Sequence, residues 1–229
     1  MSSIYKYFVS LIMVAGIYNH APAQENRMDS TEQKVPLITG MRIEADAGST
    51  IIGLLSGGEM YSYGGALQLY ILNKYYPVFE MGLAGANKVT GSGINFRGGG
   101  LYYRLGADFN MMKSREGAQP TNNLLLVGAR LGFSNFGYDL LNITFTDQFR
   151  NVSTVKNMND INLSSFWFEL SGGIRVELVR NVFLGWNIKY KNLINRSSPG
   201  EYYPYYIPGY GINSEGIWGF SYVIGYKFK

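Results

Sequence analysis

Apolar and polar residues alternate along most of this chain in stretches of about ten residues or more, separated by turn-rich segments. A period of two is the signature of a β-strand with chemically different faces. Eight such stretches can be marked: Met41 to Ile52, Tyr61 to Leu72, Tyr76 to Gly85, Phe96 to Met112, Asn123 to Phe136, Ser165 to Leu178, Val182 to Ile194 and Ile217 to Phe228. The last is the cleanest, with Trp218, Phe220, Tyr222, Ile224, Tyr226 and Phe228 on one face and Gly219, Ser221, Val223, Gly225 and Lys227 on the other. Similar apolar faces recur, for example Leu101, Tyr103, Leu105, Ala107, Phe109 and Leu125, Val127, Ala129, Leu131, Phe133.

Alternation alone does not say which face meets water, because soluble sandwiches and barrels alternate too. Three details favour apolar faces turned outward, into lipid. The stretches exceed the five or six residues usual for soluble strands. The polar face is crowded with glycine (Gly64, Gly82, Gly98, Gly100, Gly106, Gly128, Gly132, Gly173 and Gly185), which suits a narrow lumen. Aromatics gather at stretch ends, as in Tyr61, Tyr63, Tyr75, Trp218, Tyr226 and Phe228, in the manner of interfacial girdles. The pattern therefore predicts an all-β fold, an eight-stranded antiparallel transmembrane β-barrel. An even strand number puts both ends of the barrel chain on one side, the periplasm. Short links near Asn73-Lys74 and Arg180-Asn181 then fall there with the longer Lys113 to Asn122, and Gly53 to Met60, Ala86 to Asn95, Gly137 to Ser164 and Asn195 to Gly216 fall outside.

The N-terminus adds a destination. Lys6 followed by the short apolar run Phe8 to Tyr18 and by Ala21-Pro22-Ala23 reads as a signal peptide cleaved after Ala23. That divides the chain into a signal peptide (1–23), a flexible periplasmic lead-in (24–36) and the barrel (37–229). Cleavage would change the formal charge only from +4 to +3, a mild balance that gives no reason to propose nucleic acid as a partner. It would also remove His20, the one histidine. With no cysteine anywhere, the mature protein has neither His nor Cys.

An exported chain of this size, with an aromatic-alternating final strand ending in Phe228-Lys229, resembles the small eight-stranded outer-membrane barrels of the OmpA/OmpX type, and more closely barrel families known only as domains of unknown function. The resemblance implies the outer membrane of a Gram-negative bacterium, contact with its lipid and lipopolysaccharide, and handling by the barrel-assembly machinery. It transfers no catalytic residue. Those barrels end at the aromatic itself, and here Lys229 follows it.

The polar face carries Arg42, Glu44, Asp46, Glu80, Arg104, Asp108, Arg130, Glu169, Arg175, Glu177 and Lys189, five bases against six acids. An eight-stranded barrel is too narrow for an open aqueous channel, so these side chains are expected to interlock as a structural ion-pair plug. Glu44 and Asp46, two apart on one face, could in principle form an acid/base couple. Arginine neighbours would hold both ionised, whereas a general acid must stay protonated. Serine activation through histidine is closed to this chain, and a zinc site without His or Cys would be unusual. Calcium on loop carboxylates such as Asp139 and Asp147 lacks EF-hand spacing, and Gly98-Gly99-Gly100 sits in a strand pattern, not at a helix start. No catalytic residue, metal site or cofactor is expected.

The segment between the seventh and eighth stretches is rich in tyrosine: Tyr202, Tyr203, Tyr205, Tyr206 and Tyr210, spaced by Pro204 and Pro208. Tyrosine is amphipathic and loses little entropy on ordering, so the five are a candidate exposed binding surface for an unidentified protein or glycan. Against this stands the plainer reading that the loop folds over the barrel mouth or rests at lipid headgroups. The function expected from these readings is a non-enzymatic platform acting through its outer loops; a narrow pore, and less so an envelope-lipid enzyme, are the alternatives.

Overall fold

A computed structural model describes residues 37–55, 57–72, 74–112, 122–147, 152–195 and 203–228. The segments expected to be an export signal cleaved after Ala23 and a lead-in (24–36) lie outside the described residues, as do Tyr202, Lys229 and most of the Lys113 to Asn122 link. Eight strands form the wall: β1 (Ile38–Asp46), β2 (Met60–Ile71), β3 (Tyr75–Val89), β4 (Asn95–Asn110), β5 (Leu124–Asp147), β6 (Val152–Val179), β7 (Val182–Asn195) and, last in the chain, β10 (Ile217–Phe228). Each pairs antiparallel with its neighbours in sequence, and β10 returns to β1 to close the barrel, with Ile43 opposite Tyr226. Between β7 and β10 lies a small hairpin of β8 (Tyr206–Ile207) and β9 (Gly211–Ile212).

The two faces of the wall sort as the alternation requires. Leu67, Phe79, Met81, Leu101, Leu105, Leu131, Leu170, Trp186 and Ile224 stand exposed outside, while Arg42, Glu80, Arg104, Arg130 and Glu169 are buried inside. Exposed aromatics collect near both rims. Trp218 packs on Tyr190 at 5.1 Å between ring centres near the loop end, and Tyr226 on Phe228 at 4.8 Å at the turn end.

The inward glycines make room for what fills the barrel. A Cβ on Gly132 would run into the Trp167 ring, one on Gly128 into the Asp108 carboxylate, and one on Gly64 or Gly82 into the Tyr102 hydroxyl. At the turn end, Arg180-Asn181 joins β6 to β7 with Asn181 at φ 67°, a left-handed conformation that Asn tolerates.

Three expectations from the sequence need correcting. The first stretch does not stay extended to Ile52: β1 ends at Asp46 and a helix, α1 (Ala47–Leu55), follows. The reason is local, because the Asp46 carboxylate accepts from the Gly48 N–H at 3.0 Å and caps the first turn. Gly137 to Ser164 is no loop. It is the upper part of a β5–β6 hairpin whose strands run 24 and 28 residues. Register shifts near Tyr138, Leu140 and Ile143 accompany positive φ at Asn142 and Asp160, and the side chains of Asn157 and Asp139 accept from those two N–H groups at 2.9 Å. Finally, the segment after β7 does not stand clear of the barrel but turns inward, burying Tyr206 and Tyr210.

The polarity of the hairpin inverts partway up. Through Phe133 and Phe166, whose rings lie 4.7 Å apart, the outward residues are apolar. From the next outward pair, Asn135 opposite Ser164, polar residues take over, with Asp139, Asp160 and Asn162 following, although Phe145 and Val155 nearer the tip are also exposed. Inward positions invert in the opposite sense, from Arg130 and Ser134 to Phe136, Tyr138, Leu140 and Ile143, all buried.

Candidate functional site

The interior is layered from the turn end to the loop end. At the turn end Tyr70 and Tyr76 pack edge to face at 4.8 Å, joined by Leu124 and Leu126. Arg42 lies over the rings of Tyr70 and Phe183 at about 5.5 Å and donates to the Tyr70 hydroxyl at 2.8 Å. Above this floor the charges form one connected network. Arg175 grips Glu44 through two parallel bonds of 2.6 and 2.8 Å, and Arg42 reaches the same carboxylate at 2.7 Å.

Glu80 is the hub of the middle layer. Arg104 and Arg130 each approach it at 2.7 Å and Lys189 at 3.0 Å. Arg130 also donates to Asp108 at 2.9 Å and to the Ser171 hydroxyl. Asp108 accepts from Gln68 at 2.8 Å, and Gln68 accepts from Arg42, so the Glu44 and Glu80 clusters are joined through a neutral amide. Glu169 accepts from the Trp167 indole at 2.6 Å and lies 2.9 Å from the Nε of Arg104. A carboxylate in such surroundings is held charged by its cationic neighbours, and removing one partner leaves the others buried without compensation.

The loop end is closed by the tyrosine-rich segment. Arg104 donates to the Gly209 carbonyl at 2.6 Å, and Lys191 to the carbonyls of Gly209 and Tyr210, both at 2.8 Å. Gly209 sits at φ 76° with its Cα against the Tyr102 ring, a position where a side chain would clash. Tyr206, Ile207 and Tyr210 join Phe96, Phe136, Tyr138 and Trp167 in one apolar cluster. Of the five tyrosines expected to make an exposed surface, Tyr206 and Tyr210 are buried, Tyr205 is half-buried and Tyr203 is exposed, while Tyr202 lies outside the described residues. Segment 203–216 is therefore a cap on the barrel mouth. Burial of the rings against the hairpin's inner apolar face drives it inward.

Nine of the eleven charged residues expected in the lumen meet there: Arg42, Glu44, Glu80, Arg104, Asp108, Arg130, Glu169, Arg175 and Lys189. Two do not join the network. Asp46 is half-buried at the end of β1, where it caps α1 and borders the cavity at the loop end. Glu177 is half-buried near the turn end, accepting from Asn122 at 2.6 Å and from the Asn181 N–H at 2.8 Å. Both are strand-end carboxylates drawn to unsatisfied backbone or amide donors. Asp139, considered for calcium, braces the hairpin bulge, and the Asp147 side chain lies outside the described residues. Also buried in the lumen are Lys191, which the alternation from Lys189 places inward, and the neutral connectors Gln68, Ser171, Asn187 and Trp167, which carry no charge to mark them in the sequence.

With Lys191 included, the buried charged side chains among the described residues are six bases and four carboxylates, so the interior is cationic. Beneath the cap is a cavity of about 170 Å³ lined by Arg104, Lys189, Lys191, Asp46, Ser221 and Tyr206 among others.

A family model described as a domain of unknown function, DUF6048, matches residues 4–228 of the chain. Among curated proteins none matches. Among solved structures, the crystal structure of a major outer membrane protein from Thermus thermophilus is similar, with 14% identity and a TM-score of 0.46 over 82% of this chain and 99% of that one.

Proposed function

From the premise that the chain belongs to the DUF6048 family, we propose that it is a non-enzymatic outer-membrane barrel with a sealed lumen, which serves as a platform for contacts at its loop end. The observation that carries the membrane reading is the inversion of polarity along β5 and β6. An apolar outer face is tolerated below Phe133 and Phe166 only if something other than water covers it, and the switch at Asn135 and Ser164 marks where water returns. A closed barrel satisfies its backbone groups internally, which a lipid environment demands.

The platform reading rests on the hairpin that rises past the rim. β4 stops pairing with β5 at Leu141, and among the described residues β6 up to Ser165 is hydrogen-bonded along one edge only, because β7 begins to pair at Phe166. An edge of this length, carrying exposed Val155 and Lys156, is available to a partner strand or surface. The lumen argues against a pore, since each of its four carboxylates is tied to arginine or lysine.

The test replaces residues 142–157 by a short turn and compares pull-downs from detergent-solubilised envelopes. Retained folding with loss of the captured partner supports the platform role. Unchanged recovery refutes it.

A further inference from the structure

We propose that the cavity beneath the cap is a binding site for one tetrahedral oxyanion of the phosphate type. Three cationic side chains in its wall are each more than nine-tenths buried: Arg104, Lys189 and Lys191. A buried charge must be neutralised by a partner or give up its proton, because transfer out of water is expensive. Six buried bases against four buried carboxylates leave an excess of two positive charges among the described residues, which the half-buried Asp46 in the cavity wall reduces to one. A singly charged phosphate in this cavity restores the balance.

Lys191 makes no direct ion pair among the described residues, although the Glu169 carboxylate lies close enough to act on its charge. The lysine lies directly across from Glu169 in the β6–β7 ladder, yet Glu169 is engaged by Arg104 and Trp167, and the ammonium turns instead to the carbonyls of Gly209 and Tyr210. Carbonyl dipoles orient an ammonium without cancelling its charge. Those bonds use two of its three N–H donors, which leaves one for a ligand. Lys189 spends its bonds on a single carboxylate, Glu80, which two arginines already share. On β10, the strand paired with β7, the Ser221 hydroxyl lines the same cavity and accepts from Asn187 at 3.2 Å, so its own O–H can donate to an anion.

Asp46 is the acid in this wall and opposes an anion, but its carboxylate caps α1. The volume, about 170 Å³, exceeds the roughly 10–15 Å³ that one water requires and accepts an ion of phosphate size. The site is independent of any contact made by the β5–β6 hairpin.

The experiment titrates inorganic phosphate into the folded full-length barrel in a neutral detergent at constant ionic strength, by calorimetry and by tryptophan fluorescence. Trp167 reports on the site because its ring packs edge-on to Tyr210 at 6.0 Å. The expected result is saturable binding of one phosphate per barrel, weakened about tenfold or more in Lys191→Gln, as for loss of a charge-assisted hydrogen bond, and restored in Lys191→Arg. Since Lys191→Gln could loosen the cap, Lys189→Gln, at a position that holds no cap carbonyl, is the second variant and is expected to weaken binding too. A parallel titration with short-chain phosphatidic acid separates a lipid-borne phosphate from the free ion, and lysine-dependent binding of either supports the site. Binding of neither, or equal binding by wild type and both glutamine variants, overturns it.

Discussion

Arg104 shows how the interior is held together residue by residue. It touches Glu80 and Glu169 and the Gly209 carbonyl at once, so it connects the charged middle of the barrel to the cap. Arg104→Leu is expected to strand the buried Glu169 carboxylate and lower stability by about 3–5 kcal/mol, whereas Leu105→Ala, one position on and facing outward, is expected to change it far less. Urea titration of the folded barrel in detergent, followed by Trp fluorescence, measures both. Gly132 gives a steric counterpart. Its missing Cβ is the space that the Trp167 ring occupies, so Gly132→Val is expected to destabilise by at least about 1–3 kcal/mol through overpacking in the same assay.

Most of this was legible in the alternation of faces, which put nine charged side chains in the lumen. It did not separate Asp46 and Glu177, because a strand-end carboxylate keeps its parity while a helix start or turn offers it N–H donors. Gln68 escaped notice because a neutral amide gives no charge signal, though it joins two ion-pair clusters.

At the scale of elements, the wall was easier to foresee than what crowns it. Period two identifies a strand only while each face keeps its chemistry. In β5 and β6 both faces exchange polarity above Phe133 and Phe166, so the upper hairpin reads as a polar loop although its backbone stays paired. The tyrosine-rich segment misled for the opposite reason. Tyrosine suits exposed and buried positions equally, and a partly apolar hairpin face decided for burial. If that cap seals the barrel, replacing residues 205–213 by a short glycine-serine link is expected to leave folding intact but admit small ions to the upper lumen. Single-channel recordings are then expected to show at most brief, low-conductance events, since the Arg42, Tyr70 and Phe183 floor remains. Large steady conductance would contradict a second closure at the turn end.

For the whole molecule, closure and inversion make one physical statement: the apolar side of the sheet faces out, and the charged side in, only below Phe133 and Phe166. Such a barrel is expected to resist cold SDS and to migrate differently before and after boiling, because its ladder has no free end at which to unzip. Electrophoresis of unboiled and boiled samples checks this, and identical mobility would count against closure. Location can be tested more directly, because the chain's three tryptophans are divided between the faces. Trp167 is fully buried in the lumen, whereas Trp186 and Trp218 are exposed on the outer wall. Two variants, one keeping only Trp167 and the other only Trp186, with phenylalanine elsewhere, are folded into vesicles whose acyl chains carry bromine, a short-range quencher. Strong quenching of Trp186 with little or none of Trp167 is the predicted result. Equal quenching of the two, or none at Trp186, would contradict a barrel that turns its apolar face to lipid.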